Sequence, residues 1–385
     1  MSGLRTVLAA AAVALLCSCQ TIGDAYDDLF GNPKAKIPDL VPIKQTATLT
    51  VLWQAAVGAS GSGVFFPVVD LDVVYVAGRD GRISGIEAST GNVVKQFSSE
   101  EPLGAGVGVG DGLVLVATEQ SELTAFSVQG KRLWKVRVLG EVLAPPATAQ
   151  GVVVVRAGNN QIYGLNAADG KQRWLYQRTP PPLSVRAFAG VVVYRGAVFA
   201  GFAGGRLVAL TLSSGTVGWE SVVALPRGTT ELERVADVTS APAVDDSRVC
   251  AVAFQGRAAC FDLVRGSQIW GRDVSSIAGL AIGARNVYVT DDKSAVLALD
   301  KASGASIWRQ DKLAGRQLSG PLVVGNHVVL GDIEGYVHVM SRETGALEAR
   351  LTTDGSAINA APVAIGPSRF VVQTSNGGIY AMSIQ

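Results

Sequence analysis

The chain is predicted to be an all-β, eight-bladed β-propeller with four-stranded antiparallel blades. Three observations carry this prediction. A hairpin-like unit recurs eight times at intervals near forty residues. Its apolar runs lack helical 3.6-residue spacing, and a strand ahead of the first unit can supply the last strand that the eighth unit lacks.

The repeat is clearest when the copies are aligned on a turn position, which holds Gly81, Ser121, Asn160, Gly205, Gly256, Ser294, Gly335 and Gly377. These residue types suit a hairpin turn that requires positive φ. Four residues on stands a mostly small column: Gly85, Ala125, Gly164, Ala209, Cys260, Ala298, Val339 and Ala381. A small residue there is expected to let a neighbouring sheet approach closely. A large apolar residue follows, from Ile86 to Met382, and then a second glycine at Gly91, Gly130, Gly170, Gly215, Gly266, Gly304 and Gly345. Four residues beyond that glycine sits Trp134, Trp174, Trp219, Trp270 or Trp308, with Lys95 and Ala349 as exceptions. The Trp is expected to cover the edge of an adjoining repeat. Runs such as Val152–Val155 and Phe370–Val372 are apolar at consecutive positions, so both faces of those strands are buried. Four short strands per forty residues is propeller spacing.

The eighth copy ends at Gln385, just after its hairpin, without a last strand. Val51-Leu52-Trp53-Gln54 precedes the first copy and supplies the Trp. Pairing the N-terminal strand with the last blade closes the ring and removes edges that would otherwise aggregate.

Ahead of the ring, Arg5, the apolar stretch Val7–Leu16 and small residues form a secretory signal too short for a membrane span. Leu16-Cys17-Ser18-Cys19 resembles a bacterial lipobox. That resemblance implies cleavage before Cys19, acylation of its thiol and, with Gln20 following, delivery to the outer membrane, facing the periplasm. Residues 1–18 are thus assigned to a signal peptide and 19–46, with Pro33, Pro38 and Pro42, to a flexible tether. Residues 47–385 are assigned to the propeller.

Composition narrows the function. The chain is 48% hydrophobic and 17% charged, with 45 glycines and a net charge of +1. That balance leaves no electrostatic footprint for nucleic acid. Only His327 and His338 are histidines, both within one apolar hairpin, and no H-x-x-x-H, C-x-x-C or G-x-S-x-G spacing occurs. No catalytic residue, metal site or cofactor is therefore expected. Cys250 and Cys260 lie on the two arms of one hairpin. A disulfide and a pair of small buried hydrophobes fit that placement equally well.

The turn-column intervals of 45 and 51 residues exceed the others and are consecutive. Both excesses fall between the Trp strand of one blade and the first strand of the next, at Thr179–Arg186 and Leu225–Thr239. Equivalent connections emerge on one face of a ring, so these loops should be neighbours, and long loops on a rigid scaffold are where binding resides.

The A-x-D-x-x-x-G-x-x-x-W style of the repeat resembles that of the pyrroloquinoline-quinone dehydrogenases, which are eight-bladed propellers. Those enzymes use an adjacent-cysteine disulfide at the quinone, and this chain has no Cys-Cys pair. A second resemblance spans essentially the whole mature chain. Lipobox, tether, eight repeats and the two long loops together are similar to the BamB family, lipoproteins of the outer-membrane β-barrel assembly machinery. Pro181–Arg186 resembles the family's P-S-L-S-L-R stretch, and Thr230–Thr239 its T-E-I-D-R-L-S-D-V-D stretch. The resemblance implies a non-enzymatic scaffold whose loops contact the periplasmic POTRA domains of BamA. Leu183, Val185, Arg186 and Asp237 would be contacts, flanked by Glu233 and Arg234. Thr239 stands where the family has a second Asp. It also implies a role in folding and inserting outer-membrane β-barrels, by orienting POTRA domains or by offering blade edges to nascent strands. A quinone-dependent periplasmic dehydrogenase and a periplasmic ligand-binding propeller are the alternatives.

Overall fold

In a computed structural model describing residues 37–61 and 63–385, every regular element is a strand. The unit Leu40–Gln385 contains eight four-stranded antiparallel sheets. In chain order, blades 1 to 7 span 68–98, 103–137, 147–177, 191–222, 243–273, 279–310 and 322–352. Blade 8 is built from 363–384 plus Leu49–Ala56, which pairs antiparallel with Gly378–Ile384. The first strand of each blade touches the first strand of the next, and blade 8 returns to blade 1. The eight-bladed ring closed by its N-terminal strand is therefore the observed fold.

Burial follows strand position. Second and third strands are buried on both faces, as at Leu113–Thr118 and Gln161–Asn166, whereas fourth strands such as Gln172–Gln177 alternate between exposed and inward residues. The core is a series of apolar layers between adjacent blades rather than one centre.

The tryptophan column makes those layers specific. Trp174 of blade 3 lies on the Gly215 turn of blade 4, where a Cβ would meet the indole at 2.6 Å, and its Nε1 donates to Leu212 O at 2.9 Å. Trp53, Trp134, Trp219, Trp270 and Trp308 repeat this arrangement onto Gly91, Gly170, Gly266, Gly304 and Gly345. All seven glycines of the column have φ between 68° and 86°, so the turn excludes a side chain by conformation as well as by contact. Where blade 1 carries Lys95, Phe97 fills the place against Gly130.

The small column has a different reason from the one expected. Gly164, Ala209, Cys260 and Ala298 pair directly across the strand with Trp174, Trp219, Trp270 and Trp308 of their own blade. They make room for the same-blade indole rather than for a neighbouring sheet. Val339, the bulkiest aliphatic member, faces Ala349, where the Trp is missing, so volume is conserved across the pair. In the turn column seven residues have positive φ. In blade 5 the left-handed residue is Gln255 (φ 49°) rather than Gly256.

Three further expectations meet the structure. The chain joins the ring earlier than residue 47: Leu40 packs on the apolar layer between blades 6 and 7, and Arg350 Nη1 donates to Val41 O at 3.2 Å. Cys250 and Cys260 are cross-strand partners in blade 5, fully buried and disulfide-bonded. Both histidines have protein partners, His327 pairing with Glu348 at 2.8 Å and buried His338 with Asp332 at 2.9 Å. The signal segment and Cys19 lie outside the described residues.

Candidate docking surface

Strands alternate in direction within a blade, so the inter-blade connections share one face with the turns between second and third strands. The two long loops lie side by side there. The Asp237 carboxylate joins them: its Oδ2 accepts from Val185 N at 2.7 Å and its Oδ1 from Gly204 N at 2.9 Å. Sequence reasoning placed Asp237 and Thr239 at a contact surface, but the structure buries both at 3% exposure. Thr239 Oγ1 donates to Ser276 O at 3.2 Å. Their side chains hold loops in place instead of facing outward, because buried backbone groups between blades need partners.

The second loop is organised by its own sequence. Glu233 accepts from the backbone N–H groups of Thr229 at 2.8 Å and Thr230 at 3.2 Å, while Thr230 Oγ1 accepts from Glu233 N at 3.2 Å. This reciprocal cap on a single turn holds the Glu233 carboxyl below the usual range, the Thr229 N–H contributing most. With its amide nitrogen turned inward, Gln255 places its two N–H donors among the carbonyls of Leu232, Glu233 and Val235, at 3.2–3.3 Å. That contact explains the displaced left-handed residue in blade 5. Val238 bridges Ala253, and Phe254 N donates to Asp237 O at 2.8 Å, which pins the end of the loop to blade 5.

What the face presents outward is apolar, with charges of both signs. Leu183 is 49% exposed, and Leu139, Leu225, Leu232 and Ile277 are exposed on inter-blade connections of the same face. Glu233 and Arg234 are exposed on the capped turn, and Val185 is half-buried. Arg186 forms a two-point ion pair with Glu141 (2.6 and 3.2 Å) and lies over the Phe188 ring at 5.6 Å. The Glu141 bond dominates in raising the Arg186 guanidinium above its ordinary value. Leucine and arginine held by neighbours form the composition of an interface anchor.

Behind these residues is a cavity of about 390 Å³ between blades 3 and 4. Arg156, Asn160, Glu141, Arg186 and Asp237 line it. Arg156 Nη1 donates to Ala189 O at 3.1 Å, and its guanidinium lies 5.3 Å over the Phe202 ring. Burial pushes that guanidinium down to about 10, against the opposing pull of Asp237. The sequence reading missed Arg156, although a cation closing the apolar run Val152–Val155 was a visible anomaly. Glu141 carried no such signal. A wider cavity of about 880 Å³ lies among the inter-blade connections on the same face, touched by Phe66, Phe188, Leu280 and Pro321. Among the described residues no group of His, Cys, Asp or Glu has metal-binding geometry.

Residues 79–310 and 293–385 match the sequence profile of a family described as outer membrane protein assembly factor BamB. The chain is 44% identical over 380 residues to a protein of that name from Nitrosomonas eutropha, covering 96% of this chain and 93% of the relative. One from Burkholderia pseudomallei is 40% identical, covering 97% and 96%. The crystal structure of BamB from Moraxella catarrhalis superposes with a TM-score of 0.80 at 25% identity, over 87% of this chain and all of that one. A quinohemoprotein alcohol dehydrogenase from Comamonas testosteroni reaches a TM-score of 0.70 at 13% identity, covering 87% and 76%, a likeness of fold alone.

Proposed function

The chain belongs to the BamB family of outer membrane protein assembly factors, and from that premise we propose that it is a non-enzymatic scaffold of the β-barrel assembly complex, docking the POTRA domains of BamA through the face built by residues 179–186 and 225–239. The observation that carries this reading is the Asp237 clamp. One buried carboxylate fixes the relative position of both long loops, so Leu183 and Arg186 are displayed on a rigid base. Preorganised anchors lose little entropy on binding, which favours affinity per unit area. In this reading acylated Cys19 holds the ring at the periplasmic leaflet of the outer membrane. The ring orients the POTRA domains while nascent barrels are folded and inserted.

The test is a mild-detergent capture from native outer membranes with a C-terminally tagged chain. Recovery of a BamA-like barrel that falls away with Leu183→Ala/Arg186→Ala supports the reading, since losing a hot-spot anchor costs about 2 kcal/mol or more. Capture undiminished by the double substitution removes the assignment of this face. A coloured cofactor on the purified ring with no protein partner turns the assignment towards quinone chemistry.

A further inference from the structure

The cavity between blades 3 and 4 has polar groups that the docking reading leaves unused. Asn160 is 7% exposed and lines the cavity, and its side-chain amide has no hydrogen-bond partner among the described residues. Its φ of 63° places its backbone at the left-handed turn between the second and third strands of blade 3. Arg156 spends one donor on Ala189 O, and a guanidinium carries five. Its guanidinium carbon stands 5.3 Å from the centre of the Phe202 ring. Donors that open onto a cavity and have no protein acceptor are available to an incoming one.

The charge of the lining selects the acceptor. Two guanidinium groups, Arg156 and Arg186, stand against two carboxylates, Glu141 and Asp237. Asp237 is already engaged by Val185 N and Gly204 N, and Glu141 by Arg186. With those groups engaged, the open donors belong to Arg156 and Asn160, one positive charge and one neutral amide, which matches a monoanion better than a phosphate dianion. Planar, two-point recognition by guanidinium is the geometry of a carboxylate.

We infer that this cavity is a receptor for a single carboxylate, supplied by an acidic side chain that a docked protein partner inserts between Arg186 and Arg156, with Asn160 donating beside them. The identity of the source rests on the docking reading above; the receptor itself does not. Glu141 then acts as an internal competitor, occupying Arg186 until the partner arrives.

Two measurements on the full-length chain in detergent test this. The first is saturation-transfer NMR with aspartate capped at both termini, and capped asparagine as the control. Transfer to capped aspartate alone, abolished in Arg156→Gln, supports the receptor. Equal transfer to both probes, or transfer that persists in Arg156→Gln, overturns it. The second is binding of the isolated periplasmic region of the captured barrel. Arg156→Gln is expected to weaken binding about tenfold, the scale of one charge-assisted hydrogen bond, and Arg156→Lys by less. Glu141→Gln is expected to strengthen it, an effect that damage to the fold would not produce. Wild-type binding by Arg156→Gln overturns the side-chain assignment. Should the wild type not bind the barrel while still taking capped aspartate, the docking reading falls, the partner source falls with it, and the carboxylate receptor stands.

Discussion

Asp237 and Val185 are 52 residues apart, and a partly buried 2.7 Å hydrogen bond from the Val185 N–H to the Asp237 carboxylate joins their loops. The same carboxylate holds Gly204 N at 2.9 Å. Asp237→Ala leaves two inward N–H groups without acceptors, each worth about 1.5–3 kcal/mol when the acceptor is charged. The expected result is a lower melting temperature, faster amide exchange at Val185 and Gly204, and weakened partner capture from a residue that touches no partner. Unchanged exchange at Val185 would remove the clamp from the account.

Trp174 tests the inter-blade layers. Its indole fills the space beside Gly164, covers the Gly215 turn and donates to Leu212 O. Trp174→Ala is expected to destabilise the ring by about 3–5 kcal/mol, the range for removing a large aromatic from a core. Trp174→Phe should cost less, losing the Nε1 hydrogen bond but retaining most of the packing. Chemical denaturation with matched m-values would check both.

These cases mark what the sequence could reveal. The Trp and Gly columns were legible because each repeat meets the next through the same pair, so the contact is written seven times with Phe97 as one substitute. The adjacency of the two loops was legible because consecutive length excesses in a ring must share a face. The roles of Asp237 and Thr239 were not, since burial of one polar side chain depends on which backbone N–H groups lie within reach. Arg156 and Asn160 come from a strand and a turn whose side chains meet the 184–189 connection only after blades 3 and 4 pack. Leu40 escaped notice because a lone apolar residue in a Pro-containing stretch looks the same docked or free.

A buried charge cluster formed by blade 7 and the connection leading into it sets the expected pH response. Arg316 Nε donates to Asp332 at 2.7 Å, His338 Nε2 bonds the same carboxylate at 2.9 Å, and Arg350 Nε donates to His338 Nδ1 at 3.3 Å. Burial pushes the His338 imidazole below its ordinary value, against the pull of Asp332 and with Arg350 and Arg316 adding to the fall. Burial pushes the Asp332 carboxyl up, but His338, Tyr336 N and Arg316 together hold it below the usual range. For both groups the unfolded chain binds the proton first as pH falls. Stability from His338 is therefore full above about pH 6.5 and declines below it, and that from Asp332 declines below about pH 4. His338→Gln should remove the upper phase of the decline in a pH series of denaturation curves. A wild-type curve flat from pH 7 to pH 5 would contradict the assignment.

The Cys250–Cys260 bond staples one hairpin across ten residues of sequence. A loop that short gives a chain-entropy stabilisation of about 2–3 kcal/mol. Reduction, or Cys250→Ala with Cys260→Ala, should lower the melting temperature by several degrees and leave the ring folded, because Trp270 and the apolar layer around both positions remain. Thiol titration of the unfolded, unreduced Cys19→Ser chain without its first 18 residues should find no free cysteine.

The ring closure makes the sharpest demand on the N-terminus. Leu49–Ala56 is the fourth strand of blade 8, and Trp53 within it covers the Gly91 turn of blade 1 and donates Nε1 to Ala88 O at 3.0 Å. Removing the chain through Ala56 would leave Gly378–Ile384 as an unpaired edge of seven residues and open the apolar layer formed by Val74, Ile86 and Ala381. An unprotected edge beside uncovered apolar surface is a template for association. A chain beginning at Leu40 keeps both the strand and the Leu40 and Val41 contacts with blades 6 and 7, and is expected to run as a monomer in size-exclusion chromatography. One beginning at Val57 should aggregate or unfold, and adding the peptide 47–56 in excess should restore part of the monomer by refilling the same place. A stable monomer from the shorter chain alone would mean that the ring does not need its N-terminal strand to close.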